Sequence, residues 1–309
     1  MKAGKKIILA VPHGFCAGVR RALETVERAL ESYGPPIYVR HEIVHNEYVV
    51  DSLRKRGVVF VESLAGLPKG ARLVFSAHGV SPEIEDTAQD SKYDVIDATC
   101  PLVKKIHLQA VSYYSRGYAV IIIGNKRHPE VIGTAGQIDD SHIVETIKDV
   151  EALPEMRQKK IECLTQSTLS ADDTREIVKA IKKRYRGKLV TVSNDICYAT
   201  QNRQNAVKAL AKKCDAVFIL GSSNSSNANR LREVAEKNGT KAYLVSGLGG
   251  VSPKILENLE RIGISAGAST PEILISKFIA HLSGKGWDKV ETMGAEEKKI
   301  EFRLPDRFA

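Results

Sequence analysis

The sequence has no hydrophobic run long enough to span a membrane. Its longest apolar runs, residues 118–123 and 216–220, are far shorter than the roughly 20 residues that a membrane-spanning helix needs. Near the N-terminus, the apolar residues 7–11 fall short of the roughly 7–15 residues that form the apolar part of a signal peptide. We therefore expect a cytoplasmic protein that binds no membrane.

Aromatic residues are also scarce, at 6% of the chain, and no zinc-finger, KH or RNP pattern is present. The net charge of +9 favours anionic partners such as phosphates, but without those patterns we expect no nucleic-acid partner. The sequence contains neither a GxxxxGKS/T nor a GxGxxG motif. A P-loop nucleotide site and a dinucleotide-binding fold therefore have no support.

What is present is an alternation of short Val- and Ile-rich runs with amphipathic helical patterns, which is typical of an α/β chain with mainly parallel sheets. Residues 19–30, for example, place apolar side chains at helical spacing soon after a strand predicted over residues 6–11. A length of 309 residues suggests two domains or three small ones. Further strands are expected at residues 37–39, 73–76, 95–96, 119–124, 143–144, 162–165, 190–192, 216–220, 242–245 and 264–266.

Two predicted helices begin with residues suited to capping. Ser170 and Asp173 have the spacing of a capping box, ahead of a helix that should run to about Tyr185. Thr270 precedes a proline suited to the first helical position, so its hydroxyl is the expected N-cap.

The chain has five cysteines, and without a signal sequence they are not expected to form structural disulfides. Cys163 lies inside an apolar strand pattern and Cys214 lies at a helix end, so we interpret both as core residues. Cys16, Cys100 and Cys197 each fall between a predicted strand and a predicted helix, at similar separations along the chain. This pattern indicates three related βα units, and hence three similar small domains facing a common centre.

The residues alone leave three roles open for these cysteines: core thiols, a nucleophile, or metal ligands. Helix N-termini favour the thiolate, which is the form that binds metals, but no CxxC spacing is present. Three thiolates would fit a soft metal or an iron–sulfur cluster. On a four-iron cluster they would leave one iron free to take a substrate oxygen.

Histidine and hydroxyl side chains are concentrated after several predicted strands. Ligands of open α/β sheets bind at the carboxyl ends of the strands, and short hydroxyls and amides at helix N-termini suit an anion such as phosphate. Glu130, two residues after His128, has the position of an acid–base group. Structural histidines and N-capping loops are the alternative interpretation. The segments concerned are residues 41–46, 76–79, 128–130, 165–168, 221–227 and 267–270.

At these segments the chain resembles the 4-hydroxy-3-methylbut-2-enyl diphosphate reductase family of the non-mevalonate isoprenoid pathway. The similarity runs from about Ile7 to His281. Its motifs stand in order along the chain: Gly14-Phe15-Cys16-Ala17-Gly18-Val19, Val39-Arg40-His41-Glu42-Ile43-Val44-His45-Asn46, Ser76-Ala77-His78-Gly79-Val80, Asp97-Ala98-Thr99-Cys100-Pro101, His128-Pro129-Glu130, Asp195-Ile196-Cys197-Tyr198-Ala199-Thr200, Asn224-Ser225-Ser226-Asn227 and Ala266-Gly267-Ala268-Ser269.

The resemblance implies three α/β domains in a trefoil arrangement around one 4Fe-4S cluster, which Cys16, Cys100 and Cys197 would hold with one iron open. It implies that Glu130 delivers a proton. The hydroxyl relay of the family, usually the third residue of a Thr-Gln-Thr-Thr run, falls on Ser167 here, with Thr168 as the second candidate. The residues that would bind the substrate diphosphate are His45, His78, His128, Ser225, Ser226, Asn227 and Ser269.

The implied reaction removes the 4-hydroxyl group of (E)-4-hydroxy-3-methylbut-2-enyl diphosphate as water, with two electrons and two protons, giving isopentenyl and dimethylallyl diphosphates. Because the chain shows no flavin or nicotinamide fingerprint, we expect an external electron donor such as ferredoxin or flavodoxin. The predicted domains are residues 1–100 with Cys16, 101–196 with Cys100 at the start, and 197–284 with Cys197, followed by a C-terminal tail over 285–309.

Two other functions fit the same residues. A zinc-dependent hydrolase of a phosphorylated metabolite would use these cysteines and histidines to hold a metal-bound water, and it would be colourless. An iron–sulfur redox-sensing protein would use the positive charge to bind nucleic acid in a salt-sensitive way and would show no turnover.

Overall fold

The computed structural model describes residues 5–247 and 251–308. The paired strands in this part of the chain all run parallel to their neighbours and form three separate sheets. This confirms the predicted α/β class with three small, parallel sheets. Across the described residues, no helix combines the length and the apolar character that a membrane span requires.

The first of two compact units is made of Met1–Ala17, His45–Val49 and Tyr198–Glu301. Its strands are β1 (Lys6–Val11), β10 (Ala216–Leu220), β11 (Lys241–Val245), β12 (Arg261–Ala266) and β13 (Lys289–Gly294). They form one sheet in the order β11-β10-β12-β1-β13. Its helices are α8 (Tyr198–Ala211), α9 (Ser226–Lys237), α10 (Pro253–Leu256) and α11 (Glu272–Ser283).

The second unit is made of Gly18–Val44, Val50–Cys197 and Phe302–Ala309, and it contains two four-stranded sheets. One has β2 (Ile37–Arg40), β3 (Val58–Val61), β4 (Arg72–Phe75) and β5 (Asp94–Asp97). The other has β6 (Ala119–Ile123), β7 (Ser141–Val144), β8 (Lys160–Thr165) and β9 (Leu189–Val192). The helices between β1 and β9 are α1 (Ala17–Tyr33), α2 (Glu47–Lys55), α3 (Pro82–Asp90), α4 (Pro101–Ser115), α5 (Pro129–Ala135), α6 (Ile147–Glu151) and α7 (Ala171–Arg184). A short 3-10 helix, Asp306–Phe308, closes the described chain.

The three sheets repeat one strand order. It is β3-β2-β4-β5 in one sheet, β7-β6-β8-β9 in the next, and β11-β10-β12-β1 in the five-stranded sheet, where β13 adds to the far side of β1. The strand before each of the three junction cysteines therefore occupies the same place: β5 beside β4, β9 beside β8, and β1 beside β12.

The sheets do not follow the predicted domain boundaries at the two ends of the chain. β1 lies within the predicted first domain and β13 within the predicted tail, yet both belong to the sheet of β10, β11 and β12. Parallel pairing joins strands that are distant in sequence, because each parallel connection must cross over the sheet. The divisions near residues 100 and 196, like the trefoil arrangement, stay predictions.

The apolar residues of the strands are buried on both faces of the sheets. Ile7 and Leu9 of β1 belong to one hydrophobic cluster, and Ile8 and Ala10 belong to another. Successive side chains of a strand point to opposite faces of the sheet. A strand whose sheet is covered on both faces therefore has apolar residues at successive positions. All five residues of β6 are buried for the same reason. These runs are the signal that predicted the strands.

Two capping predictions are wrong. Ser170 is the N-cap of α7, but its side chain makes no capping hydrogen bond, so it forms no capping box. Pro271, and not Thr270, is the N-cap of α11, because the Thr270 hydroxyl donates to the buried Leu220 carbonyl at 2.9 Å. A capping box does form at α6, between Thr146 and Asp149.

Candidate active site

Three cysteines lie at the carboxyl ends of equivalent strands, each directly before a helix. Cys16 precedes α1, Cys100 is the N-cap of α4, and Cys197 precedes α8. All three are reduced cysteines, and all three are partly exposed. The backbone N–H of each donates to a carbonyl just beyond the neighbouring strand: Cys16 to Ala268 at 3.2 Å, Cys100 to Ala77 at 3.0 Å and Cys197 to Ser167 at 3.0 Å. The three turns thus share one local geometry, as the sequence pattern predicted.

The two remaining cysteines differ from these in burial. Cys163 on β8 is fully buried, and burial raises the pKa of its thiol to about 12. Cys214, between α8 and β10, is buried as well, and desolvation raises the pKa of its thiol to about 11. Both thiols stay protonated near neutral pH, and thiols in that form do not bind metals. This confirms that both are core residues.

The donor set of the partly exposed cysteines fits a thiolate-bound metal group. Gly14, Ala17 and Gly18 lie close to Cys16 in the sequence. Gly14 adopts φ +66°, where a Cβ atom would lie 3.2 Å from the Thr270 carbonyl oxygen. Pro101 takes the first helical position after Cys100. Because proline has no N–H, this position of the helix has no backbone donor to satisfy. Three accessible thiols in equivalent turns match the ligand set of an iron–sulfur cluster better than they match a disulfide or a core.

Glu130 and Ser167 form a buried acid–hydroxyl pair. Glu130 lies in the first turn of α5 and is 3% exposed. The Ser167 N–H donates to its Oε1 at 2.6 Å, and the Ser167 hydroxyl donates to its Oε2 at 2.9 Å. Burial raises the pKa of Glu130 to about 7, although both bonds from Ser167 lower it. The carboxyl can therefore hold and release a proton near neutral pH.

Thr168 is held differently from Ser167. The side-chain Nε2 of Gln166 donates to the Thr168 hydroxyl at 2.9 Å, and the side-chain Oε1 of Gln166 accepts the Asn125 N–H at 3.0 Å. Of the two candidate relay hydroxyls, the one on Ser167 is bonded to Glu130.

Two predicted diphosphate ligands, His78 and His128, lie next to each other in the second unit. Their ring centroids are 5.5 Å apart in an edge-on arrangement. His128 is the N-cap of α5, and its Nδ1 accepts the Glu130 N–H at 3.2 Å. The ring of His78 lies within hydrogen-bond distance of the Ser76 hydroxyl, at 3.3 Å. The structure thus brings the two histidines and Glu130 into one cluster.

The other predicted diphosphate ligands lie in the first unit, at the N-terminus of α9 and the turn after β12. The Ser225 hydroxyl caps α9 by accepting the Ala228 N–H at 3.3 Å. Asn227 Oδ1 accepts the Ala268 N–H at 2.9 Å, and the Ser269 hydroxyl donates to the His45 carbonyl oxygen at 2.9 Å. Ser226 begins α9. A helix N-terminus and a short polar turn are thereby fixed to one another, an arrangement that suits an anion.

The predicted site residues are divided between the two units. Cys16, His45, Ser225, Ser226, Asn227 and Ser269 lie in the first, and Cys100, Cys197, His78, His128, Glu130, Ser167 and Thr168 lie in the second.

Two buried charged residues near these turns were not predicted as site residues. Asp195, two residues before Cys197, accepts the Thr165 N–H at 3.2 Å, and burial raises its pKa. Arg203 on α8 is 1% exposed. Its position could have been noticed, because Arg203 shares a helical stripe with the apolar residues Val207 and Leu210. An acidic residue in a loop such as Asp195 carries no comparable signal.

Comparison with known proteins agrees with this geometry. The family model described as LytB protein matches residues 7–283. A 4-hydroxy-3-methylbut-2-enyl diphosphate reductase of Methylococcus capsulatus is 50% identical over 307 residues, which cover 97% of this chain and 97% of the relative. The reductase of the same name from Bordetella pertussis is 49% identical over 304 residues, covering 98% and 94%.

Two solved structures are similar as well. The E-1-hydroxy-2-methyl-but-2-enyl-4-diphosphate reductase of Plasmodium falciparum matches with a TM-score of 0.94 and 40% identity, covering 99% of this chain and 97% of its own. A structure of (E)-4-hydroxy-3-methyl-but-2-enyl diphosphate reductase, the terminal enzyme of the non-mevalonate pathway, matches with a TM-score of 0.65 and 34% identity, covering 91% and 99%.

The fold, the cysteine turns and these relatives place the chain among the α/β iron–sulfur oxidoreductases. The chain belongs to the LytB family, whose members are 4-hydroxy-3-methylbut-2-enyl diphosphate reductases. The relatives support neither the zinc-dependent hydrolase nor the redox-sensing binding protein.

Proposed function

We propose that this protein reduces (E)-4-hydroxy-3-methylbut-2-enyl diphosphate to isopentenyl and dimethylallyl diphosphates, the last step of the non-mevalonate pathway. The observation that carries the proposal is the buried Glu130 carboxyl, which two bonds from Ser167 hold in place and whose pKa lies at about 7. A reductive dehydroxylation needs a proton donor that is protonated at neutral pH and shielded from water.

Cys16, Cys100 and Cys197 are the residues that would hold the iron–sulfur cluster. They are the partly exposed thiols, and each is presented at a helix N-terminus by the same backbone turn. A 4Fe-4S cluster held by these three ligands would supply electrons and one iron open to act as a Lewis acid.

Glu130 and Ser167 handle the protons. The reaction consumes two electrons and two protons, breaks the bond between C4 and its oxygen, and releases that oxygen as water. In our proposal the protonated Glu130 carboxyl gives its proton to the Ser167 hydroxyl, whose oxygen lies 2.9 Å from Oε2, and Ser167 passes its own proton to the departing C4 oxygen, which leaves as water. Thr168, bonded to Gln166 at 2.9 Å, is the second candidate for the relay.

The diphosphate would be bound by imidazole, hydroxyl and amide groups. His45, His78, His128, Ser225, Ser226, Asn227 and Ser269 are the proposed ligands. In the first unit the N-terminus of α9 adds the positive end of its helix dipole.

Electrons would come from a separate carrier such as ferredoxin or flavodoxin, because no flavin or nicotinamide motif is present. We also propose a cytoplasmic location.

Anaerobic oxidation of reduced viologen on addition of the diphosphate substrate tests the function. We expect substrate-dependent bleaching together with five-carbon diphosphate products and iron-containing, brown protein. If the protein contains an intact cluster but the viologen is not bleached, the assigned substrate is contradicted. If the protein is colourless and contains zinc, the proposed cluster is contradicted.

A further inference from the structure

Arg203 connects the helix after Cys197 to the turn before Cys16. It lies six residues into the segment that follows Cys197, and its Nε and Nη2 atoms donate to the Gly14 carbonyl oxygen at 3.2 and 2.9 Å. Its Nη1 atom donates to the Ala199 carbonyl at 2.9 Å and to Glu297 at 3.1 Å. A buried guanidinium is tolerated only when it is paired and fully bonded, so this contact fixes the Gly14 backbone strongly.

Arg21 makes the corresponding link from the helix after Cys16 to the turn before Cys100. Its Nη1 atom donates to the Thr99 carbonyl at 3.0 Å, and its Nη2 atom lies 3.4 Å from the Asp97 carbonyl. Its Nε atom donates to the Arg303 carbonyl at 2.7 Å. One side chain thus holds the backbone on both sides of Ala98, immediately ahead of Cys100.

A weaker third contact follows the same pattern between the helix after Cys100 and the turn before Cys197. Gln109 of α4, the helix after Cys100, donates from its Nε2 atom to the Ser193 hydroxyl at 3.2 Å, four residues before Cys197. In each case a side chain from the helix that follows one cysteine binds the turn that precedes the next. The two arginines bind backbone carbonyls directly, whereas Gln109 binds the side-chain hydroxyl of Ser193.

We propose that Arg21 and Arg203 are positioning residues that hold the turns of Cys100 and Cys16 in the conformation required for ligation. This rests on the proposed function, since it takes these cysteines as cluster ligands. A glycine-containing turn such as the one at Gly14, with φ +66°, has much backbone freedom to lose. Fixing it in advance lowers the entropy cost of binding the cluster.

The contact between Arg203 and Gly14 depends on the planar shape of the guanidinium group. Two parallel N–H groups of Arg203 meet one carbonyl oxygen, and a lysine ammonium keeps the charge but cannot reproduce that fork. Arg→Lys substitutions at both positions therefore test positioning without removing the positive charge near the thiols. Arg28→Lys is the matched control, because Arg28 is exposed on α1 and pairs with Glu24 and Glu31 of the same helix.

The experiment measures alkylation of each cysteine by iodoacetamide in the anaerobic apoprotein, by mass spectrometry. Arg203→Lys should speed alkylation of Cys16 about tenfold, and Arg21→Lys should do the same for Cys100, because each loses charge-assisted bonds to its turn. Arg28→Lys should change neither rate. After loading with iron and sulfide, Arg203→Lys and Arg21→Lys should lose iron to a chelator faster than the wild type.

Equal acceleration at all cysteines, or no acceleration, would overturn the proposal, since either result means that the arginines do not act on individual turns. If Arg203→Lys does not fold, Glu297→Gln weakens the same contact and should speed alkylation of Cys16 to a smaller extent. The alkylation rates are measured without iron. A wild-type protein that binds no iron would therefore overturn the proposed ligation by the cysteines, but the alkylation rates would still test whether the arginines hold the turns.

Discussion

Glu130 receives two hydrogen bonds from one residue, because Ser167 donates its N–H to Oε1 at 2.6 Å and its hydroxyl to Oε2 at 2.9 Å. Both bonds favour the carboxylate, yet burial outweighs them and raises the pKa of Glu130 to about 7. Ser167 therefore orients the acid without keeping it deprotonated.

Glu130→Gln should bind the diphosphate substrate and lose nearly all turnover. Glutamine preserves the shape and can still accept the Ser167 N–H, but it has no proton to deliver, and general acid catalysis contributes about 10²–10⁴-fold. Viologen oxidation gives the turnover, and calorimetry gives the binding. Glu151→Gln, an exposed change in the same unit, is the control, and normal turnover in Glu130→Gln would remove Glu130 from the mechanism.

Turnover and stability should both fall as the pH rises through the pKa of Glu130. The carboxyl has an ordinary pKa of 4.5 and a folded pKa of about 7, so the folded state binds the proton more tightly. Its contribution to stability is fully present below pH 4.5 and is lost by the time the pH exceeds about 7. The loss is on the order of 3 kcal/mol for this buried group.

Glu130→Gln removes that titration, so its Tm relative to the wild type should rise from pH 5 to pH 8. Thermal unfolding of both apoproteins at the two pH values measures the difference. A constant difference would show that Glu130 titrates normally.

Ser167→Ala should reduce turnover more than Thr168→Val does. The first change removes the hydroxyl bonded to Glu130 and the second removes one bonded to Gln166. Loss of the side-chain bond should also raise the pKa of Glu130 further and move the pH profile upward. Ser167→Thr restores a hydroxyl and should restore turnover; if Thr168→Val is the more damaging change, the relay is Thr168.

The cysteines should divide into two groups by iron content. Replacing Cys16, Cys100 or Cys197 with serine should abolish stable iron binding, because the hard hydroxyl is a poor substitute for a thiolate. Cys163→Ala and Cys214→Ala should keep the iron, since these thiols are buried and protonated. Iron and sulfide analysis after anaerobic loading measures both, and loss of iron in Cys163→Ala would contradict the ligand assignment.

The sequence predicted β1 with its observed bounds because every interior residue of the strand is apolar and buried. It missed β13, whose residues are half-buried or exposed and include lysine, glutamate and threonine. An edge strand of that kind has no hydrophobic signature, and only its partner β1 reveals it. It also missed β3, whose four residues are apolar but only one of which is buried.

The site could be predicted more fully in its residue types than in its contacts. The cysteine turns followed from their place between strand and helix. The family resemblance named Glu130 and Ser167 separately, but the two bonds between them were not predicted. Arg203 was missed because arginine is normally exposed, and its burial depends on the Gly14 carbonyl and Glu297, both distant in sequence.

The position of β1 between β12 and β13 affects how the chain can be made. Lys6 pairs in register with Arg261 on one side and with Lys289 on the other, so β1 emerges from the ribosome long before either partner exists. At roughly 5–20 residues per second, the wait lasts on the order of ten seconds or more. The carbonyl of Ala268, which accepts the Cys16 N–H, is just as late, so the first thiol to be synthesised is among the last to reach its final conformation.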